Sequence, residues 1–303
     1  IQRFFTTMQL VIAGNDTEGA RYGSIKTPEK YYLKWKEESR GEYQHLLDRH
    51  LFQLCNKERL LELIHDFTLF DGGIKKVCRP HQYFGVRAAQ QRVVDRDGGI
   101  IWHCQGSGKS LTMVWLTQWI REHVKDARVL IITDRDELDK QIVRVFSDAG
   151  EQMKRARSGA ELIALLNKNE DPLICSLVHK FGRQEDGDYD SFIEAVKAAL
   201  PKGFKAKGDL YVFVDECHRT QSGRLHAAMK MILPEAMFIG FTGTPLLKQD
   251  KQKSIEVFGT YIHTYKFNEA VEDKVVLDLR YEARDIDQRI TDQQSIDEWF
   301  DAT

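Results

Sequence analysis

The segment Gly98-Gly-Ile-Ile-Trp-His-Cys-Gln-Gly-Ser-Gly-Lys-Ser110, followed by Leu-Thr-Met-Val-Trp-Leu-Thr-Gln-Trp-Ile-Arg121, leaves few folds open. It reads as a short apolar strand, a glycine loop and an amphipathic helix. Gly106 and Gly108 allow the backbone around Ser107 to curl, so that several N–H groups converge on one anion. A helix opening near Lys109 adds the positive end of its dipole and the unsatisfied donors of its first turn. Lys109 can reach the β- and γ-phosphates of a nucleotide, and the Ser110 hydroxyl is placed to ligate Mg2+. One departure stands out: where the pattern G-x-x-x-x-G-K-[ST] has its first glycine, this chain has His103. The plain alternative is a glycine-rich turn ahead of a helix, but the strand before and the helix after are the setting that phosphate binding demands.

Composition narrows the class. The chain has 303 residues, 42% hydrophobic and 30% charged, which suits a globular protein with a sizeable core. A net charge of −2 gives no global pull toward nucleic acid, so any DNA contact must come from local patches. Five scattered cysteines without a C-x-x-C pair fit reduced thiols of the cytoplasm better than a disulfide framework or a zinc site. No apolar run approaches the ~20 residues of a membrane span. The opening Ile-Gln-Arg-Phe-Phe carries neither an initiator Met nor a signal peptide, and the chain is expected to be part of something longer.

Taken in order, Phe5 to Ile12 is strand-like, Ala13-Gly-Asn-Asp-Thr-Glu-Gly19 is a turn, and Ala20-Arg-Tyr-Gly23 is extended again. Glu29 to Glu38 reads as a charged helical connector. Residues 57–70 place Leu60, Leu61, Ile64 and Phe67 on one helical face. A further helix begins at Pro80, a residue suited to a first turn. In it Gln82 carries a donor and an acceptor that can read the N6/N7 edge of adenine, the alternative being a solvated helical glutamine. Beyond the phosphate helix, apolar strands at 127–133, 172–178, 209–214 and 236–241 alternate with helices, the acidic stretch 182–190 forming a loop. This alternation predicts an α/β fold, a parallel sheet with helices on both faces.

Strand Asp209-Leu-Tyr-Val-Phe-Val214 runs into Asp215-Glu-Cys-His218. An Asp at the carboxyl end of such a strand can hold Mg2+ together with the loop serine, and Glu216 beside it can orient and deprotonate the attacking water. Adjacent strand residues point to opposite faces, so these roles require the chain to turn there.

Gln82, Gly106-Ser-Gly-Lys-Ser110, Asp215-Glu-Cys-His218 and Thr242-Gly-Thr244 resemble, in order and spacing, the Q motif and motifs I, II and III of superfamily 2 helicases. Thr133-Asp-Arg-Asp-Glu-Leu138 stands where that family has motif Ia. Narrower features resemble the motor (R) subunit of type I restriction enzymes: Trp102-His-Cys-Gln-Gly-Ser-Gly-Lys-Ser-Leu-Thr-Met113, Asp215-Glu-Cys-His-Arg-Thr-Gln221, Gly240-Phe-Thr-Gly-Thr-Pro-Leu246, and upstream Ala20-Arg-Tyr-Gly23 and Arg79-Pro-His-Gln82. The resemblance implies a RecA-like P-loop lobe over residues 57–268, with 1–56 the end of an upstream nuclease domain and its connector. It also implies that 269–303 is a linker toward a second lobe, in which Arg280, Arg284 and Arg289 are not placed to act as an arginine finger.

By the same resemblance the chain binds ATP and Mg2+, with Lys109 and Glu216 catalytic and Ser110 and Asp215 on the metal. His218, Thr242, Gly243 and Thr244 would couple the nucleotide to motion, and Arg135, Lys140 and Arg219 are the candidates for DNA contact. The implied partners are double-stranded DNA and the methyltransferase and specificity subunits, with no membrane. The implied activity is ATP-driven DNA translocation before cleavage. Another superfamily 2 helicase or remodeller, or a nucleotide-gated binding module, are the alternatives; an intact Lys109, Asp215 and Glu216 argue against the last.

Overall fold

A computed structural model describes residues 7–37, 41, 43–133, 136–177, 189–217, 222–244 and 255–279. The chain opens with an antiparallel sheet of β1 (Val11–Asn15), β2 (Gly19–Gly23) and β3 (Leu33–Lys34). Its turn is tighter than expected. Ala13 pairs with Arg21 inside the ladder, and the Asn15 side chain accepts the N–H groups of Thr17 and Glu18 (3.1 and 2.8 Å). The helical connector expected from Glu29 to Glu38 does not form. Only Glu29–Tyr31 makes a 3-10 turn, and the chain then runs extended through β3. The reason is Trp35, which is fully buried among Tyr22, Tyr83 and Phe84, their ring centroids 5.9, 5.3 and 5.5 Å away. The Arg59 guanidinium covers the same ring at 5.1 Å.

Helices α1 (Leu46–Leu54) and α2 (Lys57–His65) follow, the second capped by Asn56, whose side chain accepts from Glu58 and Arg59 N–H. The helix read over 57–70 stops at His65, because β4 (Thr68–Asp71) and β5 (Ile74–Val77) form a hairpin. Gly72 and Gly73 at its tip have φ of 58° and 81°, the paired positive values of the tight turn that matches strand twist. Then come α3 (Pro80–Asp95), β6 (Gly99–His103), α4 (Lys109–His123), β7 (Ala127–Thr133), α5 (Asp136–Asp148), β8 (Lys154–Ala156), α6 (Gly159–Leu166), β9 (Leu173–Leu177), α7 (Tyr189–Ala198), β10 (Asp209–Val214), α8 (Ser222–Ile232), β11 (Met237–Thr242), β12 (Tyr261–Tyr265) and α9 (Phe267–Glu272).

Seven of these strands form one parallel sheet in the order β12-β6-β11-β10-β7-β9-β8. Period-2 alternation sorts their side chains. Ile101, Val129, Ile131, Tyr211, Phe213 and Ile239 face a core shared with α3, α4 and α5. Ile100, Leu130, Ile132, Val212, Val214 and Phe238 face the opposite core, with α6, α7 and α8. Both faces being buried explains the continuous apolar runs. The expected RecA-like α/β architecture is thus present, and β8 and β12 extend the sheet beyond the strands read from the sequence. Tyr22 and Trp35 belong to the first core, so the small N-terminal sheet packs on the large domain. Among the described residues no helix is long and apolar enough to cross a membrane.

Truncating Trp35 empties that aromatic pocket. Trp35→Ala is expected to lower unfolding stability by ~3–5 kcal/mol and Trp35→Phe by clearly less, read as shifts of the denaturant midpoint. Equal, small shifts would show that the N-terminal sheet is not part of the cooperative core.

Candidate nucleotide-binding site

Parallel strands deliver their carboxyl ends to one edge, where ligands of open α/β sheets bind. Because β6, β11 and β10 are consecutive neighbours, the segments that follow His103, Thr242 and Val214 meet there. After β6 the chain turns on Ser107, whose N–H and hydroxyl both donate to Cys104 O (3.2 and 2.6 Å). Gly106 and Gly108 take φ of 80° and 92°, as a curled loop requires. Gly108 is also the N-cap of α4 and offers no side chain to cover its opening turn, so the first donors of that helix face an incoming anion.

Across the loop stands Glu216. Its φ of 49° is left-handed, and this is the turn that takes the second carboxylate off the strand's alternation. Asp215 N–H still donates to Ile132 O (3.0 Å), continuing the ladder to β7, and Cys217 N–H donates to Phe241 O (3.0 Å), closing the turn onto β11. Lys109 Nζ lies 3.4 Å from Glu216 Oε1, and Gly243 N–H donates to Glu216 Oε2 at 3.4 Å. A Cβ on Gly243 would stand 2.5 Å from Lys109 Nζ, so the ammonium lies directly over this glycine. Thr244 N–H donates to Thr242 Oγ1 at 3.2 Å, which holds the Thr242-Gly-Thr244 bend. Burial pushes the Cys217 thiol well up; it is a packing residue over Gly240, where a Cβ would lie 2.6 Å from its sulfur.

The structure therefore brings Gly106, Ser107, Gly108, Lys109, Ser110, Asp215, Glu216, Thr242, Gly243 and Thr244 to one edge. Gln82 joins them from α3. It is buried, its Oε1 accepting from Arg79 N–H and its Nε2 donating to Gly108 O, both at 2.9 Å. Lys140 is exposed on α5. His218, Arg219 and Arg135 lie outside the described residues. The basic turn Lys202, Lys205 and Lys207 precedes β10, at the opposite edge, and Lys205 pairs with Glu235 at 3.2 Å.

Sequence reasoning passed over a set of imidazoles behind the loop. His81 Nε2–H donates to Ser107 O at 3.0 Å. Its ring stacks on Tyr265 (3.8 Å, 5° between planes) and meets His103 edge-on at 5.2 Å. His103 Nε2 and His263 Nδ1 are 2.9 Å apart. The signals were present: His81 adjoins Gln82, and His103 stands in a glycine's place. A cavity of 230 Å3 beside this set is lined by Tyr31, Tyr32, Arg79, His81 and Tyr265 among others.

A parallel α/β sheet with a lysine-bearing glycine loop set against a carboxylate pair defines a P-loop nucleotide-binding domain. Within that class the chain belongs to the SWI2/SNF2 ATPase family, whose profile matches residues 81–303. It is similar to endonuclease subunits of type I restriction enzymes. The HindI subunit of Haemophilus influenzae is 30% identical over 300 residues, 87% of this chain and 27% of that protein. The SauCOLORF180P subunit of Staphylococcus aureus is 30% identical over 210 residues, 67% of this chain and 22% of that protein. The chain thus spans about a quarter of the length of the curated relatives it matches. Among solved structures, a nuclease-deletion mutant of the Type ISP restriction-modification enzyme LlaGI, in complex with a DNA substrate mimic, aligns with a TM-score of 0.49 at 18% identity, over 66% of this chain and 21% of that one.

The buried imidazoles make stability depend on pH. Burial pulls His81 down to about 3 and His103 well below its ordinary value, and lowers His263. The unfolded chain takes up protons below ~6.5 that the folded chain refuses, so this stability is complete above that pH and is lost as pH falls toward the folded values. His65, exposed and raised by Asp66, opposes the trend weakly. Between pH 7.5 and 5.0 the denaturant midpoint should fall, with His81 and His103 each costing up to ~2 kcal/mol. A flat midpoint over that window would contradict their desolvation.

Proposed function

We propose that this chain is the ATP-binding lobe of the DNA-translocating subunit of a type I restriction enzyme, hydrolysing ATP to drive movement along double-stranded DNA before cleavage. The observation that carries this reading is the meeting of Lys109, Glu216 and Gly243 over the glycine loop, an ammonium and a carboxylate held 3.4 Å apart beside the curl at Gly106 and Gly108. The similarity to restriction endonuclease subunits favours that setting over a repair helicase or remodeller built on the same family domain.

In this reading Lys109 and the N–H groups of Gly106 and of Gly108 to Ser110 bind the β- and γ-phosphates, while the Ser107 N–H stays on Cys104 O and shapes the loop. Ser110 and Asp215 are hard oxygen donors of the kind Mg2+ takes, and they would hold the ion, which supplies neutralising charge at the phosphates. Glu216 orients the attacking water and accepts its proton. Gln82 reads adenine once its bond to Arg79 N–H opens, its Nε2 staying on the loop. Thr242, Gly243 and Thr244, one of which already donates to Glu216, couple the state of the site to movement together with His218. Arg135, Lys140 and Arg219 contact the DNA backbone, which carries no sequence information. Residues 1–56 lead in from a nuclease domain, 57–268 form the lobe, and 269–303 lead to a second lobe. The methyltransferase and specificity subunits bind through segments beyond these, in the cytoplasm.

Three substitutions separate the roles. Lys109→Ala should abolish turnover with the fold intact by circular dichroism. Glu216→Gln should keep Mg-ATP binding but slow hydrolysis by about 10²–10⁴-fold, whereas Asp215→Asn should weaken metal dependence and binding together. Wild-type turnover in the lysine variant ends the P-loop reading, and the reverse pattern in the two acids exchanges their roles.

The chain alone should also be an incomplete motor. An arginine supplied from a second lobe is worth about 10³–10⁵ in rate, and backbone contacts to DNA cannot replace it. Duplex DNA at low salt should therefore change the ATP turnover of the 303-residue chain by less than about tenfold. Strong stimulation in a phosphate-release assay would show that a second lobe is not needed.

A further inference from the structure

A loop that turns its N–H groups toward an anion turns its carbonyls outward, and those carbonyls need partners of their own. In this loop two consecutive carbonyls are held by two consecutive side chains from the first turn of α3: Ser107 O by His81 and Gly108 O by Gln82. Ser107 is fully buried, so its carbonyl sits where a lost partner is costly. We propose that His81 is a positioning residue of the phosphate loop, its Nε2–H fixing the Ser107 carbonyl outward so that the loop N–H groups stay aimed at the nucleotide phosphates. The proposal rests on the ATP reading above.

A carbonyl only accepts, so the His81 proton is on Nε2. Tyr265 lies flat against the ring at 3.8 Å, and the Tyr265 hydroxyl is itself anchored on Asp273 Oδ2 at 2.8 Å. Behind it, His103 Nδ1 is buried without a hydrogen-bond partner among the described residues. A bare lone pair is tolerated there better than an orphaned N–H, which assigns the His103 proton to Nε2 and its hydrogen bond to His263 Nδ1. Gly85 on α3 makes room for this arrangement, since a Cβ there would lie 2.9 Å from His103 Cε1. The histidine in the glycine's place is thus the edge-on wall that His81 rests on. Burial pulls the His81 ring down to about 3, so near neutral pH it stays uncharged and keeps this tautomer.

The experiment is Mg-ATP binding by calorimetry to the wild-type chain and to His81→Phe, His81→Gln and His81→Asn, with thermal unfolding measured beside it. Phenylalanine keeps the stack on Tyr265 and removes the donor; it should weaken binding by about tenfold, the worth of one buried hydrogen bond. Glutamine places an amide N–H near the Nε2 position and should recover most of that loss, while asparagine, whose amide falls near Nδ1, should not. In turnover assays on the whole subunit the loss should fall on KM with kcat changed less, as for an interaction made in ground and transition states alike. His81→Phe binding as tightly as wild type, or His81→Gln as weakly as His81→Asn, overturns the proposal. So does a set of variants that lose thermal stability while their folded fraction binds normally, since that is what packing alone would do. A wild-type chain that binds no Mg-ATP ends the ATP reading and the role of His81 with it, whereas a binding wild type matched by His81→Phe ends only the role of His81.

Discussion

The parallel ladder that joins β6, β11 and β10 is the constraint on which the site depends. None of the loop, the carboxylate pair or the Thr242-Gly-Thr244 bend is close to another in sequence. They meet because three strand ends lie side by side at one edge. Two backbone bonds then set the fine geometry: Asp215 N–H on Ile132 O keeps the first carboxylate in register, and Cys217 N–H on Phe241 O draws the chain across to β11. Between them Glu216 is forced into a left-handed conformation, which costs a non-glycine residue roughly 1–2 kcal/mol. Such strain survives only where the surroundings over-determine it, and here both neighbours are pinned to adjacent strands.

A second support comes from outside the sheet. The first turn of α3 holds the loop carbonyls, and α3 is clamped by the N-terminal segment. Trp35 packs on Tyr83 and Phe84, and the Tyr22 hydroxyl donates to Cys78 O at 2.9 Å, just ahead of the helix. Lys36 pairs with Asp273, the residue that also anchors Tyr265 under His81. The same carboxylate thus ties the N-terminal segment to the ring stack behind the phosphate loop. Tyr265, at the end of β12, and His81 therefore link the packing of the N-terminal segment to the loop.

Much of this was legible in the sequence, for identifiable reasons. The fold class followed from apolar runs that only a doubly covered parallel strand requires, and the loop followed from Gly106, Gly108 and Lys109, whose types are dictated by backbone shape and charge. What failed was local pattern set against tertiary demand. Glu29 to Glu38 has helical composition, yet burying Trp35 needs extended backbone on either side of it. Phe67 to Phe70 continues a helical apolar face, yet Gly72-Gly73 makes a hairpin that pulls Thr68 to Asp71 into a strand. β8 is three residues long and partly exposed, too short for periodicity to reveal. The imidazole set had marks in the sequence at His81 and His103, but not its assembly. His81, His103 and His263 lie on three elements, and only the pairing of β12 with β6 and the packing of α3 on both bring them together.

Lys109 and Glu216 form an ion pair at 3.4 Å. Both side chains are largely buried, 13% and 18% exposed, so each would be costly to leave without a countercharge. Glu216 supplies it to Lys109 until a more highly charged partner arrives. A triphosphate offers several anionic oxygens at the place the loop N–H groups already face, and on the proposed reading the ammonium moves to it. The ion pair between Glu216 Oε1 and Lys109 then opens, while Gly243 N–H keeps Oε2 in place. A carboxylate engaged by an ammonium is a poor base, and one released beside bound phosphate is positioned to be a good one. On that reading the exchange that binds the nucleotide also relieves Glu216 of the lysine's charge, so that binding and the readiness of the carboxylate as a base are linked.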